Sequence, residues 1–203
     1  MRSRAAASML ATLGFTNVSS MEGGINAWEG LRAAGPPETG MAHFPDGASP
    51  EVLLALAWLL EEGSRRFYAE LSGSVDDKEA QKLFGDLATA EKHHEESLAN
   101  LYTKLSGKEA KADFHRALIP NGTSEDIMEG GMSVTEGLSW AKGKGVRDVL
   151  ELAISLEANA YDLYIKMDRN MGENAKARDV FSMLMLEEKQ HLSRLASLLD
   201  RKL

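Results

Sequence analysis

Glu188-Lys189-Gln190-His191, set beside Glu91-Lys92-His93-His94, decides how this chain folds. Both stretches have the form Glu-Lys-x-His. Residues three apart on a helix share a face, so each Glu and His can grip one ion from the same side. A lone Glu-x-x-His is a weak signal, because both residues are common on solvated helix surfaces. The second copy changes the reading. Upstream of each copy a Glu stands seven residues before a Tyr, in Glu61-Glu62-Gly63-Ser64-Arg65-Arg66-Phe67-Tyr68 and in Glu157-Ala158-Asn159-Ala160-Tyr161-Asp162-Leu163-Tyr164. Glu61 precedes Glu91 by 30 residues and Glu157 precedes Glu188 by 31, so one helical hairpin occurs twice.

Apolar residues around these motifs recur at helical spacing and predict four helices, over about 50–72, 76–105, 146–170 and 174–202. The heptad positions decide which polar residues point inward. His94 lies one heptad from Leu87 and from Leu101, and His191 one heptad from Leu184 and Leu198. Glu188 lies seven residues from Phe181 and from Leu195. His93 shares its face with Asp86, Thr89, Ser97 and Asn100, and so faces water. Short turns at 73–75 and 172–173 make each pair of helices antiparallel. Pairing Glu61 with Glu91–His94 centres the first hairpin at Asp76–Asp77, and pairing Glu157 with Glu188–His191 centres the second at Gly172–Asn174. Both centres fall beside or within the turns, so all six groups share one height. The connection 106–145 holds Pro120, Asn121-Gly122 and Gly130-Gly131, with short helices expected near 108–116 and 135–141. Two hairpins joined by one long crossover form an all-α, ferritin-like four-helix bundle.

Four carboxylates and two imidazoles at one level of an apolar bundle need an explanation, since each unpaired buried carboxylate costs several kcal/mol. Two divalent cations offset the charge, and a carboxylate and imidazole donor set suits iron or manganese. The expected metal ligands are Glu61, Glu91, His94, Glu157, Glu188 and His191. Glu62, Glu95, Glu96 and Glu187 read as surface carboxylates, pairing along the helices with Arg66, Lys92 or Arg194. Tyr68 and Tyr164 read as core tyrosines with satisfied hydroxyls. A hydroxyl bonded to a ligand carboxylate also makes them the candidate catalytic positions. The methionines read as packing filler.

Composition sets the outer limits. The 203 residues contain no cysteine, which removes disulfides, zinc ribbons, Fe–S clusters and cysteine catalysis from this chain. A formal charge of −8 argues against sequence-independent nucleic-acid binding, which needs a basic footprint. The longest apolar run, Val52–Leu60, is too short to span a bilayer, and no membrane association is expected. Met1–Phe15 resembles a secretion signal only loosely, and the expected location is the cytoplasm. Pro36, Pro37, Pro45 and Pro50 fall close together with Gly35, Gly40 and Gly47, a stretch that propagates neither helix nor central strand. The expected division is an N-terminal segment 1–35, a linker 36–49 and the helical domain 50–203. Ser49 is the expected N-cap and Pro50 lies in the first turn.

On these motifs, residues from about Pro50 to Leu203 resemble the rubrerythrin/ferritin-like di-iron carboxylate family. The resemblance implies bridging roles for Glu91 and Glu188 and terminal roles for Glu61, Glu157, His94 and His191. It implies two Fe ions per chain, with Mn or Zn as substitutes, a homodimer, and an oxidoreductase reducing hydrogen peroxide or dioxygen in oxidative-stress defence. A ferroxidase or iron-handling protein is the alternative, and a non-catalytic, metal-stabilised adaptor or sensor a third. Two departures stand out. Rubrerythrins carry a further Glu on the third helix where this chain has Ile154, and they carry a rubredoxin domain that a chain without cysteine cannot form. Electrons must then come from an external redox protein. Arg2-Ser3-Arg4-Ala5-Ala6, Leu13-Gly14-Phe15, Asn17-Val18, Gly23-Gly24-Ile25, Ala27-Trp28 and Gly35-Pro36 resemble the C-terminal end of a rhodanese-like domain. That resemblance places the nucleophilic cysteine upstream of Met1. Without a thiolate, no sulfurtransferase activity is expected from this chain.

Overall fold

A computed structural model describes residues 48–111, 113–119, 123–170 and 175–202, all within the unit Gly40–Leu203. The segment 1–35, for which a rhodanese-like remnant is the expectation, and the linker up to residue 47 lie outside the described residues. Five α-helices appear among the described residues: α1 (Pro50–Ser74), α2 (Lys78–Ser106), α3 (Val134–Ala141), α4 (Val146–Asn170) and α5 (Ala175–Arg201). α1 packs along α2 and α4 along α5, and the two hairpins meet mainly through α2 and α5.

Local chemistry explains the helix ends. The Ser49 hydroxyl accepts the Val52 N–H at 3.4 Å, and Pro50, with no N–H to leave orphaned, opens α1. The first turn of α2 starts later than the expected residue 76. Asp77 is its N-cap, and one carboxylate oxygen accepts both the Glu79 and Ala80 N–H groups at 3.0 Å. Gly107 closes α2 in the left-handed region with φ 70°. In the crossover, the helix expected over 108–116 is not formed. Among the described residues there the chain makes a 3-10 turn, Phe114–Ala117, whose Phe114 ring is drawn onto Trp58 and Tyr102. The helix expected over 135–141 is present as α3, capped by the Ser133 hydroxyl on the Glu136 N–H at 3.0 Å.

The core divides in two. One apolar cluster holds Leu54, Leu60, Leu98, Leu101, Leu163, Phe181 and Leu184. The other holds Phe67, Leu71, Leu83, Leu87, Leu150, Leu195 and Leu198. Burying each of these side chains contributes about 1.5–3 kcal/mol. On every long helix the passage from one cluster to the other crosses a buried polar stretch: Glu61 and Ser64 on α1, Glu91 and His94 on α2, Glu157 on α4, Glu188 and His191 on α5. The bundle is two oily halves with a polar layer between them.

Candidate metal centre

All six expected ligands fall in that layer. Glu61, Glu91, His94, Glu157 and Glu188 have no exposed surface, and His191 is 5% exposed. The outward reading of His93 holds, with two-thirds of its side chain in water. The His94 and His191 rings lie nearly parallel with centroids 5.5 Å apart.

The carboxylates divide between the two imidazoles in an ordered way. His94 Nδ1 lies 3.2 Å from Glu61 Oε2, 2.9 Å from Glu91 Oε2 and 3.1 Å from Glu188 Oε1. His191 Nδ1 lies 3.0 Å from Glu157 Oε2, 3.8 Å from Glu91 Oε1 and 3.5 Å from Glu188 Oε2. Glu91 and Glu188 thus each turn one oxygen to either histidine. Glu61 sides with His94 and Glu157 with His191. Ligand-type atoms of Glu61, Glu91, His94 and Glu188 lie within 4.8 Å of one another, as do those of Glu91, Glu157 and His191.

The electrostatics are those of an acidic cavity shut off from water. Burial pushes Glu61 well above the usual carboxylate range, and the Glu91 charge adds to that. Burial, then the charges of Glu157 and Glu91, raise Glu188 to about 8. Glu157 goes the other way. Burial would raise it, but the hydrogen bond and charge of His191 prevail and hold it at about 2. Burial would lower both histidines, yet the surrounding carboxylates raise them, His191 to about 11. Without a cation, protons shared between carboxylates and imidazoles balance the layer.

Sequence reading underrated three carboxylates. Glu187, expected at the surface, accepts the His94 Nε2–H at 2.8 Å and so fixes the ring with Nδ1 turned inward. Glu95, also expected at the surface, is largely covered and takes Arg65 Nε at 2.6 Å. Glu129, from the crossover, was not expected in the site at all. It is 1% exposed, and one of its oxygens lies within 4.8 Å of oxygens of Glu157 and Glu188. Burial and the charges of Glu61 and Glu188 drive it well above the usual range. Glu62 and Glu96 behave as expected, Glu62 pairing with Arg66 at 2.9 Å and Glu96 lying 3.7 Å from His93. Arg194 pairs with Asp86 instead of a nearby Glu.

The two tyrosines differ. Tyr68 donates its hydroxyl proton to Glu157 Oε1 across the bundle. Tyr164, expected to be satisfied too, is fully buried with its hydroxyl unpartnered among the described residues. Phe181 stacks on its ring without offering an acceptor.

The protein-family model described as Rubrerythrin matches residues 52–199. This chain belongs to the rubrerythrin family. The matched span runs from the first turn of α1 to the last turn of α5 and takes in every residue of the polar layer. Among solved structures, a hypothetical protein from Pyrococcus furiosus is similar at 25% identity and a TM-score of 0.56, covering 82% of this rubrerythrin-family chain and 95% of that one. A dodecameric thioferritin, the bacterioferritin-related protein from Bacteroides fragilis, is similar at 19% identity and a TM-score of 0.52, covering 75% and 84%, which speaks to the fold alone. No curated protein matches the chain. No helix among the described residues is long and apolar enough to cross a membrane.

Proposed function

We propose that this chain is a non-haem di-metal oxidoreductase, with iron as its metal, that reduces hydrogen peroxide or dioxygen using electrons from a separate redox protein. One observation carries the reading. Both oxygens of Glu91, both of Glu188 and one of Glu61 are buried without a hydrogen-bond partner among the described residues, and they converge with two imidazole Nδ1 atoms. Orphaned carboxyl oxygens in an apolar bundle are what a cation site looks like when its protein donors are considered alone. Their number and type fit two ions of the iron or manganese kind.

Glu61 and His94 would hold one ion, Glu157 and His191 the other, with Glu91 and Glu188 between them. Bound there, the metal pair would supply Lewis acidity and the electrons for O–O reduction. The chain's residues supply the rest. Glu187 holds His94 in the tautomer that keeps Nδ1 free to ligate. Tyr68 holds Glu157 in place and carries a proton within reach of the carboxylate layer. The two apolar clusters exclude water from both sides. These 203 residues hold no cysteine for a rubredoxin-type centre, so this reading takes its electrons from a separate donor.

The test is metal analysis of protein grown with added iron, followed by peroxide consumption by the anaerobically Fe-loaded protein. Two iron equivalents per chain are expected, lost in Glu91→Ala and His191→Ala, with peroxide consumed when a chemical reductant is supplied. Iron bound but inert to peroxide supports the adaptor or sensor reading. Fe(II) oxidised and then released supports the ferroxidase reading.

A further inference from the structure

The 3-10 turn Glu129–Gly131 belongs to the crossover and has no counterpart in the repeat, yet it is clamped hard against the polar layer. A Cβ on Gly63 of α1 would lie 1.8 Å from the Ile127 carbonyl oxygen, so only glycine lets this strip of crossover touch the helix. Gly130 has φ 76°, and a Cβ there would lie 2.8 Å from Asn159 Nδ2 of α4. The turn is wedged between α1 and α4, and that wedge aims Glu129. Ser64 Oγ donates to Glu129 Oε2 at 3.1 Å and accepts the Glu129 N–H at 3.3 Å. The other oxygen, Oε1, is buried with no hydrogen-bond partner among the described residues.

A carboxyl group brought into an already acidic layer costs free energy that the Ser64 contact to one oxygen does not offset while the other oxygen is left unmet. A cation beside Glu157 and Glu188 removes the cost. We propose that Glu129 is a seventh protein ligand, a fifth carboxylate that the crossover places on the His191 half of the metal pair. This rests on the di-metal reading above. It gives the two halves different donor sets: Glu61 and His94 on one side, Glu157, His191 and Glu129 on the other, with Glu91 and Glu188 common to both. Ser64 is the positioning residue that orients the new ligand.

The probes are Mn²⁺ followed by calorimetry and Co²⁺ followed by visible absorption, each added to the metal-stripped full chain. Glu129→Gln keeps the shape and the Ser64 contact but removes the anionic donor. Wild type should bind two ions. The variant should bind one as before and the other at least about ten-fold more weakly, with the Co²⁺ bands of that ion altered. An isotherm and spectrum identical to wild type would overturn the proposal and leave the di-metal reading intact. A wild-type chain that binds neither ion sinks the reading itself. Should Glu129→Gln fail to fold, Ser64→Ala decides the matter. It must weaken the same single ion, and an unchanged isotherm counts against Glu129 as a ligand.

Discussion

The His94 and His191 halves of the polar layer descend from the same repeated motif but are supported differently. His94 is closed off and braced from outside by Glu187 on Nε2. His191 is slightly exposed, and its partner Glu157 is braced from inside by Tyr68. The first of these differences is written into the sequence once the repeats are overlaid, and so is the seat of the crossover. The residue before Glu188 is Glu187, but the residue before Glu91 is Ala90. Gly63 and Ser64, which receive the crossover, correspond to Asn159 and Ala160 two and three positions after Glu157. Duplication explains a symmetric set of six groups. What lies around them breaks the symmetry.

Stripping the metal should affect both halves at once and have the largest effect. An unfolded chain releases the Glu188 proton near pH 4.5 and the folded one near 8, so stability falls as pH rises across that window. His191 adds to the trend. Its raised affinity for a proton contributes fully below 6.5 and is lost as pH rises toward 11. Glu157, held at about 2, contributes above 4.5 and stops doing so as pH falls toward 2. The metal-free protein should therefore be most stable in mild acid. Metal binding requires the same groups deprotonated and strengthens with pH. The gap in Tm between loaded and stripped protein should widen steadily from pH 5 to pH 8 in thermal melts. A constant gap would show that the titrating groups are not the ligands.

Glu187→Ala attacks one half only. Losing the carboxylate behind a ligand histidine typically costs about 10–100-fold in metal affinity. One of two ions in a calorimetric titration should weaken by that factor while the other is unmoved. Equal weakening of both would mean that the halves are coupled through Glu91 and Glu188 more tightly than their separate histidines suggest.

These contrasts also mark how far the sequence could be read. The hairpins, their turns and the inward aim of His94 and His191 follow from heptad position, because a period near 3.6 fixes which face of a helix is buried. The shared height of the six groups follows from antiparallel register alone. Glu129 is different in kind. It sits in Met128-Glu129-Gly130-Gly131, a loop string without periodicity, and its burial depends on a contact with Gly63 far away in sequence. The Gly130-Gly131 pair marks a break in the helical pattern but not the direction the chain takes there. Glu187 was missed because it falls on the edge of the α5 stripe. Its side chain is 38% exposed, and only its tip reaches back to His94.

The smallest expected effect separates the two tyrosines. Tyr68 and Tyr164 occupy equivalent repeat positions, and both are fully buried. Tyr68→Phe removes a donor from a buried carboxylate, and hydrogen bonds to charged groups contribute about 1.5–3 kcal/mol. It should lower the denaturant midpoint of the metal-free protein and loosen the His191-side ion. Tyr164→Phe removes a hydroxyl that has no partner among the described residues. Deleting an unsatisfied buried polar group is neutral or stabilising, so the midpoint should hold or rise and the metal isotherm should not change. If Tyr164→Phe costs as much as Tyr68→Phe, its hydroxyl does have a partner when the protein is hydrated, and the two halves are more alike than their side-chain contacts indicate.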